Sequence, residues 1–142
     1  MTNVPFEQYN FQTSANTVYD IARKKNVPFT PEELVRQTIL HYLVHTQKIG
    51  LSLIAVERKL VINQQTKRFD LVVFNREGKP FILVECKSPE VTINIDTFLQ
   101  SGNYNTHLEA DFIWLSNGKS NFFVSTKKQI VLSEVPELLP LL

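Results

Sequence analysis

Two nearly continuous apolar runs, Leu71-Val72-Val73-Phe74 and Phe81-Ile82-Leu83-Val84, are separated by the short polar stretch Asn75-Arg76-Glu77-Gly78-Lys79. A strand with one wet face alternates polar and apolar residues, whereas an unbroken apolar run needs cover on both faces. The connection is short enough for a hairpin. A hairpin that must be covered twice demands further elements above and below it, which points to an α/β arrangement. The first cover is legible upstream. In Thr30-Pro31-Glu32-Glu33, Thr30 suits the N-cap, Pro31 the first helical position, and Glu33 completes a capping box. Leu34, Val35, Ile39, Leu40, Tyr42 and Leu43 follow at helical spacing, and the helix is expected to stop at Gly50.

The remaining elements fall around this pair. Leu53 to Val61 reads as a strand whose charges Glu57, Arg58 and Lys59 suit a sheet edge. Ile95 to about Leu108 reads as a helix, and Asp111–Leu115, Asn121–Ser125 and Gln129–Leu132 as three short strands, the first two joined at Asn117-Gly118. The tail from Val135 allows one helical turn at most. Residues 1–29 read as an N-terminal arm packing on the core, with a helical candidate at Asn16 to Lys25, and residues 30–142 as the main body of a single domain. The expected fold class is α/β with a mixed central sheet flanked by helices.

Composition removes several classes of function. With 142 residues, 43% of them hydrophobic, one core of ordinary size forms without staples. No apolar run approaches the ~20 residues of a membrane span, and the first residues lack signal-peptide character. The lone Cys86 excludes a disulfide framework and a thiolate zinc site. The expected location is the cytoplasm, with no membrane partner. A net charge of +1 announces no polyanionic partner globally. Any such partner must meet local groups such as Arg23-Lys24-Lys25, Arg58-Lys59, Lys67-Arg68 or Lys127-Lys128.

Chemistry gathers where charges interrupt apolar strands. Asp70 precedes Leu71, and Glu85 and Lys87 close the second run. A buried carboxylate costs several kcal/mol unless paired or metal-bound. Glu85 and Lys87 share one strand face, with Cys86 on the other. A two-residue turn at Glu77-Gly78 would set Asp70 opposite Glu85, with Cβ atoms about 5 Å apart, where bare like charges repel. A divalent cation would remove that repulsion. A three-residue turn ending at Gly78 would separate the acids unless a bulge restored the register. Sequence leaves both turns open. Gln100 and Tyr104 share a helix face, and Glu32 or Glu33 brings a further carboxylate. Glu33 has the capping role, so Glu32 is the better functional candidate.

This ordered set resembles the PD-(D/E)XK nuclease superfamily. More narrowly, Thr30 to Gln37, Lys67-Arg68-Phe69-Asp70, Val84-Glu85-Cys86-Lys87-Ser88-Pro89 and Gln100-x-x-x-Tyr104 are similar to the N-terminal nuclease domain of type I restriction enzyme R subunits. Phe69 stands where the superfamily name has proline. The resemblance implies a restriction-endonuclease-like core and a metal-dependent endonuclease hydrolysing DNA phosphodiester bonds. It implies that Asp70, Glu85 and the Cys86 backbone carbonyl bind Mg²⁺, with Mn²⁺ as a substitute. By the same resemblance Lys87 activates water, Glu32 binds a metal-linked water or second ion, and Gln100 and Tyr104 hold DNA. DNA is the expected partner, beside a separate motor or specificity subunit. Pairing of two copies is left open.

Blander readings compete. Asp70, Glu85 and Lys87 could form a salt-bridge cluster, and the fold could serve a non-cleaving DNA-binding or partner-docking module. His41 and His45 have helical zinc spacing but no further ligand in sequence. Gly118-Lys119-Ser120 lacks the first glycine of a P-loop, Ile113 occupying that place, so it reads as a turn and the chain carries no motor.

Overall fold

The computed structural model describes residues 1–100 and 109–142. Near the N-terminus, β1 (Thr13–Ser14), β2 (Thr17–Asp20) and β3 (Lys25–Pro28) form a small antiparallel sheet. The segment expected to be helical at Asn16 to Lys25 is thus the end of the β1–β2 turn, β2, a tight turn and the first residue of β3. Thr17, Val18 and Tyr19 are strand formers, Val18 is fully buried, and Asp20 makes the turn. Its Oδ1 accepts from the Ala22 and Arg23 amides at 2.8 and 2.6 Å, and Lys24 adopts φ +57°. Val4, Phe6, Tyr9, Ile21 and Ala22 pack on the main core, where the Phe6 ring stacks on Trp114.

Helix α1 (Pro31–His41) starts as its cap requires: the Glu33 amide donates to Thr30 Oγ1 at 3.1 Å. After His41 it passes into a π-helical turn at Tyr42–Thr46, ending before Gly50. Its inner face buries Val35, Ile39 and Leu40, while Leu34, expected inside, is 40% exposed.

The main sheet runs β4 (Ile54–Ile62), β5 (Gln65–Phe74), β6 (Pro80–Cys86), β7 (Phe112–Ser116), β8 (Asn121–Ser125) and β9 (Ile130–Leu132), neighbours in that order. Only β6 and β7 are parallel, and their crossover contains α2 (Ile95–Gln100). Strand β4 is the edge its charges suggested. Strand β5 begins at Gln65, well before its apolar run, because Gln65 to Arg68 pair only with β4. The tail holds one 3₁₀ turn, Leu139–Leu141. On one face of the hairpin Leu71, Val73, Ile82 and Val84 join α1, Trp114 and Phe123 in the large core. On the other, Val72 and Leu83 meet Ile62, Phe69 and Ala110. Both faces are covered, as the two apolar runs require.

The β5–β6 connection is the longer of the two alternatives. The Asn75 amide donates to the Lys79 carbonyl at 2.8 Å, leaving Arg76, Glu77 and Gly78 as the loop. Phe74 then pairs with Pro80 while Val73 pairs with Ile82, so Phe81 is an extra residue that restores the register. Gly78 makes the loop feasible at φ +80°. A Cβ there meets nothing within 4 Å, so Gly78→Ala adds conformational strain alone. The expected loss is about 1–2 kcal/mol, read as a lower urea midpoint, with Gly78→Asn milder. An unchanged midpoint would show that another turn replaces this one.

Candidate active site

The β5–β6 ladder ends at Leu71 opposite Val84. Continuing it one step would set Asp70 against Glu85 on one face, but β5 changes phase at that residue. Phe69 belongs to the Val72 and Leu83 side, whereas Leu71 belongs to the α1 side. On the neighbouring strand Glu57, between the pairs Val56–Leu71 and Arg58–Phe69, adopts φ +52°. The distortion turns the Asp70 carboxylate toward α1. Its Oδ1 accepts from Arg36 Nη2 at 2.8 Å and its Oδ2 from the Cys86 amide at 2.8 Å.

Glu85 lies on the opposite side of β6, between Val84 and Cys86, whose side chains join the α1 core. Of the two arrangements the sequence leaves open, direct opposition of the acids is not the one found: Asp70 bonds to Arg36 and the Cys86 amide, while Glu85 lies on the other face of β6. They remain neighbours through the backbone, because the amide that Asp70 accepts from is the one following Glu85. Glu85 and Lys87 line a common cleft of ≈ 320 Å³ with Leu115, Asn94, Thr97 and Phe98. Lys87 is exposed, its amide fixed to the Ser116 carbonyl at 2.8 Å. Lys67 Nζ stands 3.8 Å from Glu85 Oε1. Gln100 is exposed at the end of α2. Tyr104 lies outside the described residues.

The two helix carboxylates have different lives. Glu33 is buried and accepts from Arg23 Nη2 at 2.9 Å, Arg36 Nη1 at 2.6 Å and Gln37 Nε2 at 3.1 Å. Glu32 is open, its side chain 48% exposed and its Oε1 3.6 Å from Arg36 Nη2. Sequence reading missed Arg36, whose guanidinium also lies 3.9 Å from Glu57 and joins α1 to Asp70. The available signal was an arginine on the buried helix face, three and four residues after two acids. Burial pulls the Arg36 pKa down, but the bond to Asp70 and the charges of Glu33 and Asp70 hold it above the ordinary value. Burial pushes the pKa of the Cys86 thiol well up, and its side chain packs in the α1 core, as a packing residue does. Burial, then the neighbouring His45, lowers the pKa of His41, and among the described residues no group of three His, Cys, Asp or Glu stands close enough to hold a metal ion.

No curated protein matches this chain. A solved structure from Anabaena variabilis ATCC 29413, described as a candidate nuclease of DUF820, superposes with a TM-score of 0.51. The match covers 89% of this chain and 84% of that one at 16% identity, a likeness of fold. The mixed α/β fold with a restriction-endonuclease-like core is thus shared with a solved protein. The family described as type I restriction enzyme R protein N terminus (HSDR_N) matches residues 31–138, from the first residue of α1 into the tail, and so takes in Glu32, Asp70, Glu85 and Lys87. The chain belongs to the type I restriction enzyme R protein N terminus family.

Proposed function

We propose that this chain is a Mg²⁺-dependent endonuclease module that hydrolyses DNA phosphodiester bonds. The observation that carries the reading is the end of β6, where Asp70 accepts from the amide of Cys86 while Glu85 and Lys87 on either side of that residue open into one cleft. Family membership supports a nuclease-like role.

The donor types suit the ion. As the side chains stand, however, Asp70 is bonded to Arg36 and the Cys86 amide while Glu85 opens into the cleft, so a shared ion requires a side chain to turn. Mg²⁺ takes hard oxygen ligands and needs only one or two protein carboxylates, its other places going to water and phosphate. Asp70, Glu85 and the Cys86 carbonyl would hold it, with Glu32 acting through water. When bound it supplies an acidified water and offsets phosphate charge. Lys87 orients the attacking water and faces the charge growing on the phosphate oxygens, where a fixed cation has its largest effect. Arg36 holds the Asp70 carboxylate in place, and Gln100 and Tyr104 are the residues assigned to holding the DNA strand. A motor or specificity subunit is the partner this reading implies. Gly118-Lys119-Ser120 is a turn around Gly118 at φ +87°, closed by Asn117 Oδ1 accepting from the Lys119 and Ser120 amides.

One observation favours the second reading, a non-cleaving DNA-binding or docking module: both Asp70 oxygens already have partners. Calorimetry with Mg²⁺ or Mn²⁺ and nicking of supercoiled DNA separate the two. The nuclease reading expects ion binding and nicking, both lost in Asp70→Asn. Ion binding that survives in Asp70→Asn would overturn the site, and a chain that binds DNA but no ion would be the docking module.

A further inference from the structure

The two basic dipeptides Arg58-Lys59 and Lys67-Arg68 are brought together by pairing. Arg58 faces Phe69, Lys59 faces Arg68, and Leu60 faces Lys67 on the β4–β5 ribbon. Residues 58–69 hold four of the fifteen basic residues and none of the fourteen acidic ones. The rest of the chain is consequently acid-rich, eleven basic residues against fourteen acidic. The field is local where the net charge is nearly nil.

The ribbon is two-faced. Leu60, Ile62 and Phe69 pack inward with Val72 and Leu83. By alternation Lys59, Val61, Thr66 and Arg68 point outward, with Val61 75% exposed and the Arg68 side chain 58% exposed. Like charges directly opposite on paired strands destabilise a sheet, and the Lys59–Arg68 pair is such a case. Glu57 offsets only part of it, through Arg68 Nη2 at 2.9 Å. That same Glu57 carboxylate stands 3.9 Å from Arg36, which is bonded to Asp70, so the outer face leads directly to the candidate site.

We propose that the outer face of the β4–β5 ribbon, through Lys59 and Arg68, grips the phosphate backbone of duplex DNA beside the Asp70–Glu85 site; this rests on the nuclease reading above. Phosphate contacts of this kind position a duplex without reading its bases. A two-stranded ribbon is also narrow enough to lie along a major groove.

The test is anisotropy of a labelled duplex of about 25 base pairs in EDTA, over a salt series, with the whole chain. Each lost phosphate contact lowers the slope of log affinity against log salt by about 0.9. The Lys59→Ala/Arg68→Ala variant is therefore expected to bind several-fold more weakly with a slope smaller by about 2. A Lys127→Ala/Lys128→Ala control, which removes the same charge elsewhere, is expected to keep both. Circular dichroism establishes that each variant is folded, and Lys59→Gln/Arg68→Gln replaces the alanine pair if it is not. Unchanged affinity and slope, an equal loss in the control, or tighter binding to single-stranded RNA would each overturn the ribbon assignment while leaving the Asp70→Asn nicking result intact. A wild-type chain that binds no duplex at any salt would instead count against the nuclease reading itself.

Discussion

Glu33→Ala is expected to destabilise the fold by about 3–5 kcal/mol, the range for breaking a buried ion pair from one side. The Glu33 side chain is 6% exposed, and its partners Arg36 and Arg23 are 9% and 16% exposed. Water can replace little of what the carboxylate gives. Removing it takes away the one buried acid that both guanidinium groups share. Arg23 is left with Asp20 and the partly exposed Glu57, and Arg36 with Asp70 and the more distant Glu32 and Glu57. Domains of this kind are stable by only about 5–15 kcal/mol, so the loss is a large share of the total. Glu32→Ala, one residue away on the exposed side, is expected to change stability by less than about 0.5 kcal/mol. Urea unfolding of the two variants measures the contrast, and equal midpoints would mean that solvent reaches the network.

Asp20 adds a pH signature to the same network. Burial raises its pKa, yet the Arg23 amide, the Arg23 side chain and charge, and Gln37 outweigh that and leave it below 3.8. A depressed folded-state value means that the carboxylate stabilises the fold above its unfolded pKa. The contribution is lost as pH falls through the folded value. The stability gap between wild type and Asp20→Asn should accordingly be constant near neutrality and close below about pH 4. A gap that widened in acid would reverse the sign and refute the assignment.

How much of this was legible in the residues depends on the range of the interaction. The doubly covered hairpin, the capped helix and the edge strand were readable because each rests on local pattern or propensity. Asn16 to Lys25 misled because the polar spacing around Ile21 and Ala22 suits a helix, whereas the Asp20 turn and the burial of Val18 decide for strands. The site lay between these cases. Asp70, Glu85 and Lys87 stood out as charges on apolar strands. Their arrangement depended on a loop one residue longer, the compensating residue Phe81 and the φ of +52° at Glu57. No spacing rule encodes that phase change. Arg36 was hidden for a related reason: its importance comes from Asp70, which is 34 residues away in sequence.

Lys87→Ala is the substitution expected to affect catalysis most without touching the fold. The side chain is exposed, and the strand is held at this point by its backbone amide on the Ser116 carbonyl at 2.8 Å. Alanine keeps that bond. In the proposed site Asp70, Glu85 and the Cys86 carbonyl would hold the ion and Lys87 would supply no ligand, so Mg²⁺ binding by calorimetry should persist and tighten slightly as a nearby positive charge disappears. The rate of strand scission under single-turnover conditions should fall by about 10²–10³, the usual effect of losing one preorganised charge at a developing oxyanion. Lys87→Arg keeps the charge but replaces a compact ammonium by a broad planar fork, and should recover only part of the rate. Glu85→Gln is the contrasting case, expected to lose ion binding and cleavage together. Rates that are equal in Lys87→Ala and wild type would remove the ammonium from the chemistry and leave Glu85 and Lys87 as a charged pair on the cleft wall. Ion binding lost with Lys87 would show instead that the ammonium shapes the Glu85 carboxylate rather than the water.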